Sequence, residues 1–293
     1  MVILLDSLLN GLTLGAFYAL VTLGLTLIFG VARLVNFAHG DFFMVGGYVL
    51  YVLSAFNPLQ LPYPVLVILT TLVMALFGIV FERLVVHDMI DRSWRVHLVA
   101  TLASSIILSN AALSLFRSDA KLIPTTYLST IVNVFGTPTS LQRIIVLVAV
   151  VIVFLGLQFF LERTWTGKAM RAVSQNRDTC VVVGIDIRRI IVITFALSAA
   201  LAGFAAALLA PLYSVSPTMG LGVTTKALVA VVLGGLGQVN GAFFAAFLIG
   251  LLETFFAAYI PNGFAYKDVA SFGVLLLILL LKPHGLFGRK IGL

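Results

Sequence analysis

The stretch "NFAHGDFFMVGGY", Asn36 to Tyr48, holds an amide, an imidazole and a carboxylate between two long oily runs. His39 and Asp41 stand two apart, the spacing of a base and a carboxylate that could orient it, and Glu253, inside an apolar run, is a possible third proton-handling group. Such an intramembrane enzyme would need a nucleophile with the right neighbours, and none is found. The GxxxxGK[ST], HExxH and GxSxG patterns are all missing, so no nucleotide site, metal site or catalytic role is expected.

A structural reading of the same residues is available. Asp41 follows Gly40 and precedes "FFMVGGYVLYVL", where a first-turn or capping carboxylate satisfies orphan N–H groups and the helix dipole. Asn36 and His39 are then loop residues at the cytoplasmic edge, just beyond Arg33. Polar groups near lipid are also functional candidates by default, which keeps Asn36, His39, Asp41 and Glu253 as candidates for a substrate pathway. Glu253 has no charge partner nearby in sequence and reads equally as a hydrogen-bonded carboxyl between packed helices. Lys226 is expected to snorkel to the outer interface.

The elements that position these groups follow from composition. Of 293 residues, 61% are hydrophobic and 10% charged, with a mean hydropathy of +1.15. Soluble domains carry roughly 25% charged residues, so the chain is an integral membrane protein. Ser7 to Ala32 carries no charge and reads as a retained span rather than a signal peptide. Further apolar runs lie at 40–56, 62–81, 96–116, 141–161, 190–213, 224–237, 241–260 and 268–282. Backbone groups left unpaired in lipid are costly and nothing alternates like a barrel strand, so all nine read as helices. The fold class is an all-α polytopic membrane protein: one transmembrane domain over 1–293, eight or nine transmembrane helices, some short or Gly-broken, and no soluble domain.

The formal charge of +7 forms no solvated basic patch, which argues against nucleic acid; it reads as topology in a lipid bilayer. With the N-terminus outside, thirteen of the eighteen basic residues, among them Arg33, Arg171, Arg289 and Lys290, fall on the cytoplasmic side with the C-terminus. Arg117, Lys121, Arg143, Lys226 and Lys267 remain outside. The single cysteine, Cys180, excludes an internal disulfide.

Two stretches break the helical pattern. The seventh run is short for a bilayer, and "GGLGQVNG" then interrupts it at Gly234, Gly235 and Gly237. Irregular backbone at membrane depth needs protein or a water-filled cavity around it, which makes these glycines pathway candidates. The small-residue run Ser198 to Ala210 predicts close helix packing. The largest cytoplasmic loop, 162–189, reads as two short helices over 167–176 and 177–183, with Asn176 as N-cap of the second and Gly184 ending it at positive φ. Met170, Val173, Val181 and Val183 offer apolar faces for docking.

Taken together, "NFAHGDFFMVGGY", "GKAMRAVSQNRDTCVVVGI", "VLGGLGQVNGAFFAAFLIG" and "KPHGLFGR" resemble, in order and over nearly the whole chain, the permease subunits of bacterial branched-chain amino-acid ABC importers of the LivH type. The resemblance implies an inner-membrane protein that pairs with a second homologous permease, two cytoplasmic ABC ATPase subunits that use the ATP, and a periplasmic substrate-binding protein. Branched-chain amino acids are the leading substrate, urea or short amides the alternative. The Glu-Ala-Ala of ABC permeases in general is not present in the loop. Gly167, Arg171, Ala172, Gly184 and Ile185 sit where this subfamily's coupling loop would place them. A self-sufficient channel or secondary transporter is the competing class, weakened because only Glu253 is a central ionisable group.

Overall fold

Long apolar runs without helix breakers form most of the chain. The computed structural model describes residues 2–288 other than 91 and 135; Asp91, Arg289 and Lys290 therefore lie outside the described residues. The helices are α1 (Val2–Ala32), α2 (His39–Ala55), α3 (Tyr63–Phe81), α4 (Trp94–Phe116), a short α5 (Thr126–Ser129), α6 (Leu141–Arg163), α7 (Trp165–Gln175), α8 (Arg177–Val182), α9 (Ile187–Leu209), α10 (Met219–Gly234), α11 (Val239–Tyr259) and α12 (Lys267–Leu281). Among the described residues, six helices are long and apolar enough to cross a membrane, and Met219–Gly234 is a shorter apolar helix. No soluble domain is appended among them.

One correction concerns the polar stretch before α6. It contains a small antiparallel hairpin, β1 (Ile131–Val134) with β2 (Thr137–Ser140), turning at Gly136 with φ 86°. Strands of four residues without an alternating apolar face leave no periodic signal, so sequence reading sees only a polar loop.

The centre of the bundle is α1 and α9, with α11 on one side and α3 and α2 on the other. Small residues set the spacing, as the run Ser198 to Ala210 predicts. A Cβ on Gly46 of α2 would lie 2.9 Å from the Cα of Gly203 on α9, and one on Gly15 of α1 would lie 2.8 Å from the Cα of Phe247 on α11. Without a hydrophobic drive between helices in lipid, this backbone-to-backbone contact supplies the packing.

Two helices begin inside the bundle. α1 ends at Ala32, and Arg33 at φ 52° turns the chain back, so that Leu34, Asn36 and Ala38 are buried before α2 starts. The His39 imidazole then reaches Val21 O of α1 at 2.9 Å and lies beside Ser198, the central residue of α9. On the other side of the molecule the chain leaves α9, is held by a bridge between Lys121 and Val215, passes Gly47 and returns inward to start α10. The starts of α2 and α10 meet there. The phrase containing Asn36, His39 and Asp41 therefore lies midway along the bundle and not at its cytoplasmic edge, because 33–38 climbs back between helices instead of running along a surface.

Candidate functional site

At this meeting point α10 caps α2. Gly40 N–H donates to Thr224 Oγ1 at 2.8 Å, and the same hydroxyl lies 3.0 Å from Gly220 O and 3.1 Å from Phe37 O. Gly40 has no room for a side chain, since a Cβ would lie 2.7 Å from Thr224 N. Asn36 Oδ1 accepts from Ala38 N–H at 3.1 Å, fixing the turn into the helix. The first-turn N–H groups of a helix buried in an apolar bundle need acceptors, and Asn36 and Thr224 supply them.

Asp41 lies in the first turn of α2, as expected, but is not its cap; the N-cap position is Ala38, and no side chain there caps α2. The Asp41 carboxylate lies over the backbone of Gly220 in the first turn of α10, Oδ1 accepts from Ser109 of α4 at 3.0 Å, and Oδ2 is buried with no hydrogen-bond partner. Asn36 and His39 are not interfacial loop residues either, since both are 0% exposed. Nε2 of His39 donates to a carbonyl, so that nitrogen carries the proton.

Glu253 forms a separate cluster. Lys226 of α10 makes an ion pair with its Oε1, Ser271 of α12 donates to the same oxygen, and Tyr18 of α1 donates to Oε2 at 2.7 Å. Lys226 also pairs with Asp268 at 2.7 Å. Lys226 does not snorkel; it is 9% exposed. Its two carboxylate partners come from α11 and α12, so sequence proximity could not reveal them.

The glycine break lies at the opposite end of α10. Gly235 and Gly237 take φ 105° and 76°. The tail closes on this break, with Leu286 N–H donating to Leu233 O at 2.8 Å and Phe287 N–H to Gly234 O at 3.2 Å. Gly234 packs on the backbone of Gly241, and Gly237 lies against Gly30 of α1. The structure thus brings Asn36, His39 and Asp41 together, and places Glu253 and the three glycines apart from them and from each other.

The loop after α6 forms the two helices expected. Thr164 caps α7 by accepting from Gly167 N–H at 3.0 Å, and a Cβ on Gly167 would lie 2.5 Å from Leu161 Cα, so this glycine lets α7 fold against α6. Asn176 Oδ1 accepts from Thr179 N–H at 3.1 Å and caps α8. Gly184, at φ 80°, donates to Val181 O at 3.1 Å while Ile185 N–H donates to Cys180 O at 2.9 Å, a Schellman closure. Arg171 is exposed and Ala172 half-buried. Met170 and Val173 are buried against the chain's own helices and offer no free face; Val181, Val182 and Val183 remain exposed.

Apolar helices, two of them broken and meeting inside with their polar residues, make up the architecture of a transmembrane permease. The chain belongs to the family described as branched-chain amino acid transport system / permease component, whose model matches residues 7–279. It is 34% identical, over 97% of this chain and 96% of the relative, to the high-affinity branched-chain amino acid transport system permease protein BraD of Pseudomonas aeruginosa. It is 31% identical over the same shares to the permease LivH of Escherichia coli K12. A ribose import permease, RbsC of Haemophilus influenzae, is 25% identical over 98% of this chain.

Proposed function

We propose that this chain is the membrane permease subunit of an ABC importer for branched-chain amino acids, forming half of a translocation pathway that alternates between outward-open and inward-open states. The supporting observation is similarity along nearly the entire length to permeases named for that transport, at higher identity than to the ribose permease. Branched-chain amino acids are accordingly favoured over urea or short amides.

The chain carries no phosphate-binding loop, so energy comes from partners: two cytoplasmic ABC ATPase subunits, with a second homologous permease and a periplasmic binding protein completing the assembly. The location is a bacterial inner membrane with the C-terminus cytoplasmic, supported by the excess of basic residues on that side. The α7–α8 loop is the surface that receives the ATPase. Short helices are marginal alone, and here caps, the Gly184 turn and the buried Met170 and Val173 hold them as a rigid unit, presenting Arg171 and Val181 to Val183 outward.

Uptake of radiolabelled leucine and urea by cells carrying the complete operon, compared with a deletion of this gene, tests the reading. ATP-dependent leucine uptake should vanish with the gene and urea uptake should not depend on it. Leucine uptake that survives the deletion removes the proposal.

A further inference from the structure

Asp41 is a fully buried carboxylate without a cation. Among the described residues the ion pairs are His87 with Glu82, and Lys226 with Glu253 and Asp268; none involves Asp41. Ser109 donates to Oδ1 and Ser105 stands close enough to hydrogen-bond the carboxyl, while Oδ2 is enclosed with no partner of good geometry. A buried charge persists only where something compensates it for part of its working cycle.

The surroundings identify what that is. Gly220 brings the first turn of α10 directly beneath the carboxyl, and the N–H groups of a first turn have no helix carbonyl to bond. Next to it the surface mixes apolar side chains, Leu221 among them, with polar and bare positions: Thr218 and Gly222 at the α10 start and Asn110 of α4 are exposed, and a Cβ on Gly222 would meet nothing within 4 Å. Backbone and amide groups exposed midway along a membrane bundle are poor neighbours for lipid and good ones for a water-filled path. α4 covers Asp41 through Ser109.

We propose that Asp41 is the subsite for the substrate's ammonium group in the translocation pathway. A buried carboxylate matches the ammonium end of a zwitterionic amino acid and leaves its side chain to nonspecific apolar contact. This rests on the importer reading and adds to it a place where the permease itself holds the substrate.

The test uses the assembled complex in proteoliposomes, with Gly222→Cys introduced into a Cys180→Ser background. A hydrophilic cationic thiol reagent should modify the new cysteine. Millimolar leucine, or 3-methylbutan-1-amine, which carries the ammonium alone, should slow that modification severalfold, and 4-methylpentanoate, which lacks it, should not. Asp41→Asn, which keeps an acceptor for Ser109, should leave the cysteine reactive, abolish protection by leucine and lower uptake roughly tenfold or more, the loss of one charge-assisted contact. An inert cysteine, equal protection by 4-methylpentanoate, or Asp41→Asn with normal uptake and protection overturns the subsite. Should Asp41→Asn fail to assemble, the ligand series on the Gly222→Cys protein decides alone. Failure of the unaltered complex to take up leucine would instead sink the importer reading, a result separate from the cysteine chemistry.

Discussion

Arg33 and Arg177 close each other's helices. Arg33 Nη2 donates to Ser174 O at 2.9 Å and Gln175 O at 3.0 Å, the last carbonyls of α7, while Arg177 Nη2 donates to Ala32 O, and to Val31 O at 3.3 Å, at the end of α1. Each guanidinium meets the negative end of the other segment's helix, worth about 0.3–2 kcal/mol apiece depending on burial. The exchange ties the α7–α8 unit to the point where the chain turns back toward α2.

From that tie, motion of α7 and α8 should pass to 33–38 and so to the start of α2. Arg33→Ala and Arg177→Ala should each lower leucine uptake by the assembled complex more than they lower its ATP hydrolysis. Equal loss of both activities, or of neither, argues against a transmitting role.

The trans cap at α2 predicts a stability difference that depends on a hydroxyl. Thr224→Val leaves Gly40 N–H buried and unpaired and should cost about 1–3 kcal/mol, whereas Thr224→Ser should stay close to the parent. Thermal unfolding of the detergent-solubilised protein reads both; a Val variant as stable as the Ser variant would contradict the cap.

For the Lys226–Glu253 pair the prediction is non-additivity. Lys226→Met alone strands the buried Glu253 carboxylate and should destabilise by about 3–5 kcal/mol, whereas Glu253→Leu leaves Lys226 its partner Asp268 and should cost less. The double variant should recover much of the loss. A double variant that is simply the sum of the singles shows that the pair is not coupled.

The α8 closure predicts a graded response. Asn176→Ala should cost about 1 kcal/mol of local stability by removing the cap. Gly184→Val meets open space but forces a β-branched residue to φ 80°, so its effect is backbone strain alone. Insertion should be normal, and association with the ATPase or transport-linked hydrolysis should fall. Unchanged uptake by Gly184→Val together with an active Arg171→Glu variant would defeat the coupling role.

Orientation is open to labelling. In a Cys180→Ser background, cysteines placed at the exposed Asp119 and Gln175 should react with an impermeant reagent from the periplasm and only after membrane rupture, respectively. The reverse pattern inverts the topology.

Much of this was legible in sequence because the signals are local. Helix 141–161 was readable from hydropathy, Asn176 and Gly184 from cap chemistry, and the interruption at Gly234 to Gly237 from its glycines. The depth of Asp41 was not: hydropathy counts apolar residues but does not register that a few residues after Arg33 climb back into the bundle. Nor could spacing show that Thr224 serves Gly40, that Lys226 meets a carboxylate two helices onward, or that Arg177 reaches Ala32. Those contacts join residues far apart in the chain, and a one-dimensional period carries no trace of them.

The bond from Gly40 to Thr224 spans 184 positions. A ribosome adding about 5–20 residues each second makes the donor roughly ten to forty seconds before the acceptor. Through that interval the newly inserted α2 has no permanent place to start, and its buried first turn must be held by water, by the insertion machinery or by a temporary neighbour. A chain terminated before α10 would keep that first turn permanently uncapped, a fault that membrane quality control could recognise while every earlier helix is correctly inserted.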